Sequence, residues 1–125
     1  MALKIRQLSL GNVSDTHRIA LEGRLDGSTS PELEQVLKPI LSSNPKVLIF
    51  DLAKLDFISS AGIRVLIESQ KNLSSRNGSV LLTEMQPQIQ KVLEIIKALP
   101  GIGVFRNVEE MDQYLALMQE KYKKQ

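Results

Sequence analysis

The sequence predicts an α/β fold, a mixed β-sheet of about four to five strands with about four helices packed on it. Two observations carry this. The chain opens with two short strand-like segments separated by turn residues, and from there strand-like and helix-period apolar segments alternate to the end. Its 125 residues suit a single domain spanning 1–125.

Leu3 to Leu10 reads as a strand, with Leu3 and Ile5 in one phase and Leu8 and Leu10 in the other, a slip that accommodates a bulge. Gly11-Asn12 and Ser14-Asp15 mark a turn. His17 to Leu25 is a second strand, with Ile19 and Leu21 on one face and Arg18, Ala20 and Glu22 on the other, and the pair is expected to form a hairpin. Residues 25–29 form a loop into a helix, where Ser30 is expected to cap and Pro31 suits the first position. Leu33, Val36, Leu37, Ile40 and Leu41 make one core-facing stripe. Pro39 inside it predicts a kink or an early end.

Val47 to Phe50 is an uninterrupted apolar run, as expected of a central strand covered on both faces. Asp51-Leu52 is expected to end it, with residues 53–58 as a loop. A helix then starts near Ser59 or Ser60, with Ile63, Leu66, Ile67 and Leu73 inward and Arg64, Glu68 and Lys71 facing water. After a turn at 76–79, Val80 to Leu82 is a short core strand. Pro87 opens a helix with Ile89, Val92, Leu93, Ile96 and Leu99 on its stripe, and Pro100-Gly101 stops it. Val104-Phe105 reads as a last short strand. Asn107, three residues before Glu110, is a variant capping box opening a helix that carries Met111, Tyr114, Leu115, Met118 and Tyr122.

Composition narrows the function classes. Hydrophobic residues make up 42% and charged residues 24%, both ordinary for a globular protein, while aromatics are only 4% with no Trp, so the core must be aliphatic. Sixteen basic and fourteen acidic side chains leave a charge of +2, part of it in the tail 120–125. A nearly neutral body gives no electrostatic reason to expect a nucleic acid or an anionic membrane as partner. Cysteine is absent, which excludes disulfides, thiolate metal sites and cysteine nucleophiles. Residues 1–6 carry charge where a signal peptide needs an apolar run, and no stretch approaches a membrane span, so a cytoplasmic protein is expected.

Motifs argue against an enzyme. The Gly-x-x-x-x-Gly-Lys and Gly-x-Gly-x-x-Gly phosphate cradles are missing, and Gly101-Ile102-Gly103 follows a helix. His17 is the single histidine and sits in the polar phase of an expected edge strand, so it reads as an exposed strand residue. No Gly-x-Ser-x-Gly or Ser-x-x-Lys surrounds a serine. Asp51 reads as structural and Asp56 as a loop residue. Neither a metal nor a cofactor is expected.

The informative stretch is Val47 to Leu66, VLIFDLAKLDFISSAGIRVL. A buried strand leads through a short loop into a helix at two serines, a small residue and a glycine, at the end of the strand where open α/β sheets place ligand sites. Serine there has two readings. It can cap orphan N–H groups, or it can offer a hydroxyl for phosphorylation at a helix start whose dipole tolerates negative charge.

Asp51-Leu52 followed by Phe57-Ile58-Ser59-Ser60-Ala61-Gly62-Ile63 resembles the signature of STAS domains, specifically the bacterial anti-sigma factor antagonists. Gly23-Arg24-Leu25-Asp26 with Thr29 is similar to the family's earlier Gly-x-Leu-Asp loop. The resemblance spans essentially the whole chain. It implies a protein that binds an anti-sigma factor, often also a serine kinase of the histidine-kinase-like ATPase type, and thereby releases a sigma factor for transcription. It implies Ser60 as the phosphorylated residue, with a phosphatase reversing the step. Ser59 stands where many relatives carry an aspartate, and Ala61 where Ser or Thr is common; both occur in a variant of the signature.

The expected mechanism is a change of charge. Unmodified Ser60 and its neighbours Ser59, Ala61, Gly62 and Ile63 dock against the kinase, with Asp26 and Thr29 at the rim and Gly62 allowing close approach. Phosphorylation turns that surface repulsive. One rival is an unphosphorylated STAS subunit of a lipid-transport or sensory assembly. Another is a small-molecule sensor, for which Lys54 and Arg64 are the nearby cations. The switch requires the Ser60 hydroxyl to be reachable at the start of its helix.

Overall fold

The computed structural model describes residues 3–8, 15–98 and 107–123. Their elements run β1 (Leu3–Leu8), β2 (Thr16–Leu25), α1 (Ser30–Ser42), β3 (Val47–Ile58), α2 (Ser60–Ser74), β4 (Ser79–Thr83), α3 (Pro87–Ala98) and α4 (Val108–Tyr122). The expected turn at Gly11-Asn12, helix stop at Pro100-Gly101 and strand at Val104-Phe105 lie outside the described residues.

Among the described residues the sheet has four strands in the order β1-β2-β3-β4. β1 and β2 pair antiparallel, as the hairpin reading requires, whereas β2 with β3 and β3 with β4 are parallel, each joined through a helix. The sheet is mixed, as the element order implied. Ile19, Leu21, Leu48, Phe50 and Leu52 point to the core face and are essentially inaccessible. Burying each such side chain contributes about 1.5–3 kcal/mol. Leu33, Leu37 and Ile40 of α1, Ile63, Leu66 and Leu73 of α2, Ile89 and Val92 of α3, and Met111 and Leu115 of α4 complete this aliphatic core.

Several expectations need correction. β3 does not stop at Asp51-Leu52; it continues to Ile58 through the residues read as a loop. What sustains it is β2, which pairs with it as far as Leu25↔Ile58 across two register shifts. The second shift falls at Gly23, whose φ of 107° suits glycine and makes the bulge possible. Burial along the first half of β3 alternates, so the apolar run is fully covered on one face only, with Val47 and Ile49 half-buried on the other. His17 lies half-buried on an interior strand, not on an edge. Helix α1 continues past Pro39 to Ser42. Ser30 does not cap it: Thr29 holds the N-cap position, and the Ser30 hydroxyl donates to Asp26 O at 2.6 Å.

The extended half of β3 raises a hydrogen-bonding problem. Pairing with β4 ends at Asp51↔Thr83, so beyond it that edge has no strand neighbour among the described residues. Three glutamines take its place. Gln86 Nε2 donates to Ala53 O (3.2 Å) and Leu55 O (2.9 Å), and Gln88 Nε2 to Asp56 O (3.2 Å). Gln119 of α4 accepts from the Ile58 N–H and donates to the Ile58 carbonyl, both at 2.7 Å. Buried backbone groups require such partners.

Candidate functional site at the start of helix α2

The site is the junction of β3 and α2, beside the loop that ends β2. Ser59 is extended (φ −102°, ψ 178°) at the N-cap position of α2. Its N–H donates to Leu25 O at 2.9 Å, and its carbonyl accepts the first helical bond from the Ile63 N–H at 2.9 Å. Ser60 is the first residue of α2, one of the two positions the sequence offers for the helix start.

The hydroxyl of Ser60 is not reachable in this conformation. Ser59 and Ser60 are 6% and 7% exposed, and both hydroxyl oxygens are fully buried with no hydrogen-bond partner among the described residues. This overturns the expectation of an exposed hydroxyl. It also removes the capping reading, because neither side chain caps α2. The cap comes from another helix: the Ser60 N–H donates to Asp112 Oδ1 at 2.9 Å. A carboxylate there faces the positive end of the α2 dipole.

Helix α4 covers the junction. Besides Asp112, buried Gln119 clasps Ile58, and Lys123 pairs with Asp56 at 3.1 Å. Asn107 starts this helix as the capping pattern predicts, its side chain accepting from the Glu110 N–H at 2.8 Å. Neither Asp112 nor Gln119 was singled out from sequence. Gln119 left a trace: it falls four residues after Leu115 and eight after Met111, a polar side chain in core-facing phase.

The remaining residues of the expected docking surface divide. Gly62 is buried, and a Cβ on it would meet Leu25 Cγ at 2.7 Å, Ile58 Cγ1 at 2.8 Å and Leu25 O at 2.9 Å. Its lack of a side chain lets α2 pack closely on β2 and β3. Ile63 is 2% exposed and belongs to the core. Thr29 is 4% exposed and is used internally, its hydroxyl donating to Arg24 O at 2.8 Å and accepting from the Asp26 N–H at 2.9 Å. Asp26 and Ala61 alone of the set are partly exposed.

Asp26 organises the neighbouring turn. Its carboxylate accepts from the Ser28 N–H (3.0 Å), the Ser28 hydroxyl (2.8 Å) and the Thr29 N–H (3.2 Å). Partial burial pushes its pKa upward, but the bonds from Ser28 and Thr29 outweigh that and hold it below the ordinary value. Arg24 lies 3.8 Å from the same carboxylate and stacks 3.9 Å over the Phe57 ring. Away from the junction, Asp51 is held by Arg18 at 3.0 Å and by the Ala53 N–H at 3.1 Å, in keeping with its structural reading. No group of three His, Cys, Asp or Glu gathers to hold a metal among the described residues. Nor is any described helix long and apolar enough to cross a membrane.

A mixed sheet with four strands among the described residues and a serine pair opening the helix after β3 is the arrangement of a STAS-type domain. Residues 12–111 match the STAS domain model, and the chain belongs to that family. BtrV of Bordetella bronchiseptica is 29% identical over 89 residues, covering 71% of this chain and 77% of that protein. The anti-sigma-B factor antagonist of Listeria monocytogenes is 26% identical over 91 residues, covering 73% and 79%. Among solved structures, the anti-sigma factor antagonist SpoIIAA in its unphosphorylated form superposes with a TM-score of 0.61 at 19% identity, covering 75% of this chain and 83% of that one. An anti-sigma factor antagonist from Mycobacterium paratuberculosis gives 0.60 at 18% identity, covering 92% and 95%. At such identities the structures establish a shared fold.

Proposed function

We propose that this chain is an anti-sigma factor antagonist, a non-enzymatic cytoplasmic module that binds an anti-sigma factor with serine-kinase activity while Ser60 is unmodified and releases it once Ser60 is phosphorylated. A phosphatase restores the binding form. The observation that carries this reading is the pair of serines at the start of α2 in a chain of this family, whose buried hydroxyls have no hydrogen-bond partner among the described residues. A buried hydroxyl without a partner costs about 1–3 kcal/mol, so stability does not account for serine at either place. Relatives named as anti-sigma factor antagonists support the general role. Phosphoserine adds about −1.5 to −2 charges at neutral pH. Beside Ala61 and the Asp26 loop, that charge turns an acidic or apolar partner surface away.

The test is incubation of the purified chain with ATP and the kinase it binds, followed by intact mass and peptide mapping. One phosphate is expected on Ser60 and none on the Ser60→Ala variant, while Ser60→Asp weakens kinase binding. Equal phosphate incorporation into Ser60→Ala would refute the assignment. The burial of the Ser60 hydroxyl favours a second reading, a fixed STAS subunit of a larger lipid-transport or sensory assembly in which Ser60 is only a small packed residue. That reading expects no phosphate from any kinase the chain binds.

A further inference from the structure

Helix α4 meets the amino end of α2 and the end of β3 through a set of polar contacts. Asp112 accepts from the Ser60 N–H, Gln119 satisfies both backbone groups of Ile58, and Lys123 pairs with Asp56. The inward face of α4 is apolar as well: Met111 and Leu115 are buried in the core, and Tyr114 and Met118 pack against it. Lifting this helix would exchange those hydrogen bonds for water and also uncover its apolar face, so opening is a local event held in check by both. The residue whose N–H Asp112 holds carries a hydroxyl that is nine-tenths buried and has no hydrogen-bond partner among the described residues.

We propose that α4 is a cover over Ser60, latched by Asp112 and Gln119, which must lift before the hydroxyl can be modified and cannot reseat once it has been. The first half concerns the chain alone; the second rests on the phosphorylation reading above. In the transfer, Ser60 Oγ forms a bond to the γ-phosphorus of ATP, the bond from that phosphorus to ADP breaks, and the hydroxyl proton passes to a base on the kinase. The phosphate then stands where Asp112 stood. It competes for the free N–H groups of the α2 start and repels the Asp112 carboxylate. The partner therefore meets a different surface in the two forms: α4 closed over the junction, or the junction open.

The absence of cysteine makes the cover directly measurable. Ser60→Cys places one thiol under α4, and Ser28→Cys places one on the exposed loop as a reference. With DTNB, the thiol at 60 is expected to react roughly 100-fold or more slower than that at 28, because reaction awaits local opening. Adding Asp112→Ala or Gln119→Ala should speed it about tenfold or more, the consequence of removing a strong hydrogen bond from the closed state. The unlatched rate should stay independent of low urea, which separates lifting of α4 from global unfolding. Equal rates at 60 and 28, or no acceleration on unlatching, would overturn the cover.

Should Ser60→Cys fail to fold, amide exchange on the natural sequence decides the same point. Asp112→Asn must then raise exchange at Ser60 and along α4 but not at β2 and β3; uniform or unchanged exchange overturns it. For the second half, Ser60→Glu should raise exchange across α4, and adding Asp112→Asn should restore part of the protection. No change in α4 with Ser60→Glu refutes the displacement. None of these measurements uses a kinase. A slow, latch-dependent thiol in a chain that no kinase phosphorylates would leave the cover standing and the switch refuted.

Discussion

Replacing Gly62 with Ala tests whether this glycine serves the inside of the molecule or an outside partner. An added Cβ would lie 2.7 Å from Leu25 Cγ, 2.8 Å from Ile58 Cγ1 and 2.9 Å from Leu25 O. The carbonyl cannot retreat freely, since it accepts the Ser59 N–H at 2.9 Å. Overpacking of this kind costs about 1–3 kcal/mol, and three simultaneous close contacts point to the upper end. Alanine regains about 1 kcal/mol of helix propensity, leaving a net loss of about 2 kcal/mol. For a domain of this size about 4 °C is lost per kcal/mol, so thermal unfolding should fall by roughly 8 °C. Gly27→Ala is the control, because a Cβ there meets nothing within 4 Å. It should be neutral or stabilising by up to about 1 kcal/mol. A Gly62→Ala protein as stable as the natural chain would refute the packing argument and return Gly62 to the role of a partner-facing residue.

Ser60→Ala, by removing a buried hydroxyl without a partner, should stabilise the chain by about 1 kcal/mol in urea titration. Gln119→Ala leaves the N–H and carbonyl of Ile58 unpaired and should lose about 2–4 kcal/mol, read as a lower urea midpoint. Asn107→Ala removes the α4 cap and should cost about 1 kcal/mol, with faster amide exchange in the first turn of α4. The Asp51 carboxyl is held below its ordinary value of 3.8 by the Ala53 N–H, against some desolvation, and by Arg18 and Arg6. Its folded pKa is thus lower than its unfolded one, so its contribution is present above the unfolded value and is lost as pH falls through the folded value. Urea midpoints should drop on acidification below about pH 4, and Asp51→Asn should flatten part of that drop.

Much of the architecture was legible because it is written in local periodicity. The α1, α2 and α3 stripes, the Asn107 cap and the β1–β2 pairing all follow from patterns within a few residues. The second half of β3 was not legible, because LAKLDFI does not alternate. It is held as strand by β2 across two bulges and by glutamines from α3, α4 and the segment before α3, all distant in sequence. His17 was misplaced for a related reason: which strand lies at an edge depends on the pairing order, and the hydrophobic phase of a single strand does not reveal it.

At the site, the sequence by itself determined that a helix opens near Ser59 or Ser60, since the helical stripe begins there, but it put a loop where β3 in fact runs on to Ile58. It could not determine whether those hydroxyls face water. That is a matter of tertiary packing at the junction, where Asp112 and Gln119 of α4, about 50 residues further along, bond the backbone of Ser60 and Ile58. Periodicity fixes which side of an element turns inward. What lies against that side, and whether a serine there is a cap, a surface hydroxyl or a covered one, is set only when distant elements meet.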